Sequence, residues 1–211
     1  MASAEPGFSL TAASDDRFRG RSISGERPVA TALASYDDVR GPYAGVSVTA
    51  VATRDEGVQP LRSVQYLGYA KRLHSGLTLD AGVVSRLYTR QFTGGYADVF
   101  VEAYVGVIGR RVSGRLYLSP DFDGRGGDSA YAEVEALLFE RGRWSMSGHL
   151  GLLAPPREPG QRRALKELDW RPGATRTFGR LGVSLQWVGS GPDDDTRRWQ
   201  SGAVLSATRS F

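Results

Sequence analysis

Residues Tyr96 to Ile108 read YADVFVEAYVGVI, and the alternation in that stretch decides the fold. One face carries Ala97, Val99, Val101, Ala103, Val105 and Val107, while the other carries Tyr96, Asp98, Phe100, Glu102 and Tyr104. A period of two marks a β-strand whose faces meet different surroundings. Here the small apolar side chains share one face and the bulky or charged ones share the other. A strand of a soluble barrel would show the reverse, because its interior has to be filled by large apolar groups. The pattern fits a wall with lipid outside and a polar interior.

The same division recurs along the chain. YAGVSVTAVA sets Ala44, Val46, Val48, Ala50 and Ala52 against Tyr43, Gly45, Ser47 and Thr49. YAEVEALLF sets Ala132, Val134, Ala136 and Leu138 against Tyr131, Glu133 and Glu135, and LGVSLQWV sets Leu181, Val183, Leu185 and Trp187 against Gly182, Ser184 and Gln186. About twelve such segments begin near Phe8, Pro28, Pro42, Ser63, Leu77, Tyr96, Arg111, Ser129, Trp144, Asp169, Leu181 and Gln200. Most run about nine to twelve residues, the length of a tilted membrane strand. Connections after even-numbered segments are tight (HSG, RGR, FGR), and those after odd-numbered ones are longer and polar (SGERP, RDEGVQP, DFDGRGGD). RRALKELDW, from Arg162 to Trp170, is the one stretch with the pattern of a short helix.

These features predict an all-β chain forming one domain over residues 1–211, a transmembrane antiparallel up-and-down barrel of about twelve strands. Residues 1–7 are expected to be an N-terminal periplasmic tail, with short turns in the periplasm and longer loops outside the cell. No apolar run approaches the ~18 residues of a membrane-spanning helix. MASAEPGFSL lacks the basic and apolar regions of an export signal, so Met1 is expected to stand ahead of a mature chain.

Composition narrows the chemistry. There are no cysteines, and His74 and His149 follow no metal-ligand spacing, so no metal or other cofactor is expected. The net charge is +4 with a pI near 9.6, but the arginines are scattered among carboxylates. A mixed solvated surface is expected, with no nucleic-acid partner. PDDDT in the last loop lacks the spacing of a calcium site and reads as a polar loop.

DDRFRGRSISGERPVATALASY resembles the opening of the TorF-type porins of proteobacteria, an aromatic-x-F-R-G-x-S-x-S segment followed by a turn and a second strand. Phe18, Arg19, Gly20, Ser22, Ser24 and Pro28 match; Asp16 stands where Tyr is expected and Thr31 where Gln is usual. GPYAGVSVTAV is similar to the family's G-x-Y-x-G strand without its Trp, and YLGY and YADVFVEAYVG resemble later strands. The resemblance implies a Gram-negative outer-membrane barrel called a porin by analogy, and supplies no substrate. In such barrels a terminal aromatic on an alternating strand serves as the signal for the barrel assembly machinery. Phe211, which ends GAVLSATRSF, is expected to play that part, although Arg209 replaces the usual apolar residue two before it.

Carried through every strand, the alternation assigns charges to the lumen. Strand one would supply Asp15, Arg17, Arg19 and Arg21, strand four Lys71, and strand five Asp80, Arg86 and Arg90. Strand six would supply Asp98 and Glu102, strand seven Arg115, strand eight Glu133 and Glu135, and strand nine His149. Basic and acidic strands then neighbour one another, so the charges either face across an open pore or pair along the wall. The expected function is a narrow charged channel for passive diffusion of small polar or ionic solutes. The alternative is a plugged barrel whose outer loops bind lipopolysaccharide or a partner protein. Arg157, Arg162, Arg163 and Lys166 are candidate contacts to lipopolysaccharide phosphates in the membrane's outer leaflet. An enzyme is not expected: Ser145 or Ser147 could approach His149 along one strand, but no third orienting residue is evident.

Overall fold

The computed structural model describes residues 5–91, 99–120, 128–154, 167–191 and 199–211. The alternating segments become a closed ring. Strands β1 (Glu5–Ala13), β2 (Val29–Asp37), β3 (Pro42–Thr53), β4 (Gly57–Arg72), β5 (Thr78–Tyr88) and β6 (Val99–Ile108) each pair antiparallel with the next. The series continues through β7 (Val112–Ser119), β8 (Ser129–Arg141), β9 (Trp144–Ala154), β10 (Glu167–Trp170 and Gly173–Phe178), β11 (Leu181–Ser190) and β12 (Gln200–Ser210). Then β12 returns to β1, with Thr208 opposite Thr11 and Arg209 opposite Leu10. Among the described residues, every strand of the ring has a neighbour on both sides. Among the described residues there is no helix.

The faces separate as the sequence dictates. Leu67, Val105, Leu150 and Leu185 are exposed on the outside, whereas Tyr43 and Tyr131 point inward and donate to Asp80 and Asp169, and Glu102 pairs there with Arg19. Tight turns join the strands at the end that holds both termini. One of them, Asp38 to Gly41, is closed by the Arg40 guanidinium and backbone amide on the Asp38 carboxylate. Those bonds hold the Asp38 carboxyl down at about 2.

Several expectations are corrected. Strand β1 begins at Glu5, because Glu5 to Gly7 pair with Ser35 to Asp37, so the part of the expected tail from Glu5 onward is strand. Glu167 to Trp170, within the stretch with a helical pattern, extend along Leu150 to Leu153 instead; neighbouring strands on both sides override the local pattern. The polar RDEGVQP connection shrinks to residues 54–56, since Gly57 onward pairs with β3. A bulge makes this possible: Thr49 faces Arg62 and Ala50 faces Pro60, leaving Leu61 as the extra residue. Proline is tolerated at such an irregularity because it has no N–H to give the ladder.

The largest correction concerns residues 14–28. They do not extend strand one. The chain leaves β1 at the long-loop end and folds back into the barrel as a small hairpin, in which Arg17–Phe18 pairs with Arg21–Ser22. Its Ile23 is buried among Val29, Val51, Leu61, Tyr88 and Phe100, with Phe18 and Ala13 packed alongside. This apolar cluster lies inside the ring, which explains why Leu61 and Val51 are wholly buried in a barrel with a polar interior. Burying a side chain such as Ile23 contributes about 1.5–3 kcal/mol.

A candidate channel lumen

The interior is chemically divided. Along β11, β12, β1, β2 and β3 it presents hydroxyls that bond across strands: Ser184 to Ser206 at 3.0 Å, Thr11 to Thr208 at 2.9 Å, and Thr31 to Thr49 at 2.9 Å. From β4 to β10 it presents charges and phenols. Tyr104, Tyr117 and Tyr131 form a row with ring centres 5.5 and 6.0 Å apart. The Tyr43 hydroxyl lies against Asp80 and Tyr104, and Arg115 donates to Asp80 at 2.9 Å. Tyr117 donates to Glu133 at 2.9 Å.

Around His149 the strands β8, β9 and β10 meet. Its Nε2 lies 2.9 Å from Asp169 and 3.1 Å from the Tyr131 hydroxyl, while Nδ1 lies 3.3 Å from Glu135. Arg171 completes the group by donating to Glu135. Both ring nitrogens therefore face carboxylates rather than Ser145 or Ser147, and the arrangement is a hydrogen-bonded wall of the lumen.

The hairpin crosses this lumen. Asp16 accepts a hydrogen bond of 3.0 Å from Arg62 on β4, and the same two groups make an ion-pair contact at 2.9 Å. Arg19, at the tip, reaches Glu102 on β6, which Arg86 of β5 also contacts. On the far wall Arg21 donates to Glu167 of β10 at 2.8 Å, and Arg17 reaches the Val188 carbonyl of β11 at 3.4 Å. Strands β4 and β10 are half the ring apart, so the hairpin spans the interior. Within it, the buried Asp15 carboxylate accepts bonds of 2.7 Å each from Arg17, Ser22 and Ser24. Below the hairpin lies a cavity of about 460 Å³. A second, of about 500 Å³, opens between Tyr43, Tyr66, Asp80 and Arg115, and Arg86 and Tyr117 line both.

Asp80, Arg86, Glu102, Arg115, Glu133, Glu135 and His149 thus face the interior as the alternation predicts. Arg17 and Arg19 also reach it, but from the hairpin rather than from strand one. Lys71 does not: it pairs with Leu79, which is exposed on the outer face, so both sit on the outside of the wall. The strand-four reading fails because the strand runs without a register shift from Arg62 to Arg72, and its inward face is that of Tyr66 and Ala70, which leaves Lys71 on the other face with Leu67 and Tyr69. Arg90 lies past the end of β5 and pairs with Glu56 at the long-loop rim, 2.8 Å away. Asp98, Arg157, Arg162, Arg163 and Lys166 lie outside the described residues, as does PDDDT. Reading the strands alone missed Arg62, Asp169 and Arg171. The parity of Tyr66 would have found Arg62, whereas Arg171 sits at the break in β10 before Pro172, which no period reveals.

No curated protein matches the sequence. Residues 2–208 match the model of a family described as bacterial protein of unknown function (Gcw_chp). The chain belongs to the Gcw_chp family. Solved structures similar to this member of the family are outer-membrane barrels. The NanC porin aligns with a TM-score of 0.64 at 7% identity, covering 96% of this chain and 98% of that one. The KdgM porin aligns at 0.59 and 9%, covering 97% and 99%. The COG4313 outer membrane channel from Pseudomonas putida F1 aligns at 0.54 and 11%, covering 100% and 97%. At such identities the likeness is one of fold, and the fold is the twelve-stranded outer-membrane barrel.

Proposed function

We propose that this Gcw_chp protein is an outer-membrane channel through which small polar or ionic solutes diffuse passively, along a lumen made narrow by the inward hairpin. The observation that carries the proposal is the pair of adjoining cavities that share Arg86 and Tyr117, the first lined by charged side chains such as Asp16, Arg62 and Glu133 and the second by Asp80, Arg115 and tyrosines, both enclosed by an outwardly apolar ring. Twelve strands stand between the eight that side chains can fill and the sixteen that leave a wide aqueous pore. The likeness of residues 16–31 to the TorF-type porins supports the same reading. On it, Arg157, Arg162, Arg163 and Lys166 would meet lipopolysaccharide, and Phe211 would be read by the assembly machinery.

The hairpin favours one rival, a sealed barrel acting through its loops. Single-channel recording from the refolded protein in a planar bilayer separates the two. Discrete conductance steps are expected, with ion selectivity displaced toward anions when Glu133→Gln and Glu135→Gln remove two lumen carboxylates. A silent bilayer containing folded, inserted barrel would reject the channel.

A further inference from the structure

We propose that the hairpin is a permanent part of the wall rather than a lid, and that Arg19 at its tip, clamped on Glu102, sets the ion selectivity of the pore. This rests on the channel reading above. Three observations carry it.

The first is backbone conformation. Arg19 and Gly20 have φ of 49° and 81°, the two left-handed residues of a tight primed hairpin turn. Glycine or asparagine suits such a place, and an arginine there costs about 1 kcal/mol. A residue held against its conformational preference points to what its side chain does. The Arg19 side chain, 8% exposed, reaches the fully buried Glu102, and its guanidinium carbon lies over Tyr131, 3.9 Å from the ring centre.

The second is anchorage. A lid would carry few buried contacts. This hairpin sinks Ile23 and Phe18 into the apolar cluster, binds Arg62 through Asp16, and is tied internally at Asp15. Its tip seats so closely against β11 that a Cβ on Gly20 would overlap the Gly189 carbonyl.

The third is charge. Glu102 lies between two arginines, Arg19 from the hairpin and Arg86 from the wall. An ion passing the tip through the cavity that Arg19 and Arg86 line feels two guanidinium groups and the carboxylate buried behind them, away from bulk water, where each charge acts strongly. Removing Arg19 leaves a balanced pair; removing the Glu102 charge leaves two cations.

The test is the reversal potential of single channels under a salt gradient. Arg19→Ala is expected to displace it toward cations and Glu102→Gln toward anions, with Arg19→Lys, which keeps the charge, close to the parent. A shortened chain completes the set. Because the Ile23 amide already donates to the Asp16 carbonyl at 2.8 Å, residues 17–22 can be replaced by an Asn-Gly turn that leaves Ile23 in place. This chain is expected to give larger steps and little selectivity. If Arg19→Ala and Glu102→Gln shift the same way or not at all while Glu133→Gln shifts, the pore exists but Arg19 is not its filter. A parent that is silent while the shortened chain conducts would make the hairpin a seal and overturn the proposal. Silence of both would instead reject the channel itself.

Discussion

Gly20 is the residue on which the inward hairpin turns. Its φ of 81° is one that side chains with a Cβ rarely adopt, and a Cβ there would meet backbone and not a movable side chain. Gly20→Ala therefore combines a left-handed alanine, costing about 1–2 kcal/mol, with an overlap that the neighbouring strand can relieve only by shifting, at about 1–3 kcal/mol. A fall of about 2 kcal/mol or more is expected in urea unfolding of the lipid-reconstituted barrel; an unchanged midpoint would mean that the tip stands clear of β11. Arg19 and Gly20 were both visible in the sequence as part of the stretch resembling TorF-type porins. What they do was not, since a stretch rich in arginine and serine beside a strand reads equally well as more strand.

Between strands, tyrosines lie over glycines. Tyr66 faces Gly45, Tyr43 faces Gly68, and Tyr104 faces Gly82 in the ladder, each ring occupying the space a Cβ would fill. These pairs let the lumen hold large phenols without swelling the ring. Gly82→Ala should destabilise the barrel by about 1–3 kcal/mol. Gly114→Ala is the control: its Cβ would come no closer than 3.5 Å to any neighbour, and the change should stay within about 0.5 kcal/mol. Equal effects in a thermal or urea unfolding comparison would refute the packing account. Turns behave differently. The Asp38 carboxyl, held at about 2 by Arg40, keeps its bonds at every pH above the ordinary carboxylate range and loses them only as pH falls through that value. Acid sensitivity between pH 5 and 4 must then arise elsewhere in the barrel, which Asp38→Asn, by leaving that part of the profile unmoved, would bear out.

For the whole molecule, the decisive property is that the ring is inside out relative to a soluble barrel. Single cysteines at Val101 and Ala132 should react with probes dissolved in the lipid phase, and cysteines at Glu133 and Gln186 only with small water-soluble ones. The opposite pattern would invert the assignment of faces. Lys71 sharpens this test, because on the outer wall near the tight-turn end its amine can reach the headgroup layer while its stem lies along lipid.

The alternation of small apolar and large polar residues determined, without any structure, that the chain is a barrel with lipid outside. A strand's side chains point to opposite faces by covalent geometry, so the period in sequence is the period in space. The tight and long connections likewise showed which ends of the strands share a side. Only the tertiary structure decided that residues 14–28 enter the lumen, that Lys71 faces out, and that Arg19 meets Glu102 across 83 positions of sequence. Those outcomes depend on a turn conformation, on which face of the fourth strand meets the interior and on a contact between distant strands, and the polarity of a single segment settles none of them.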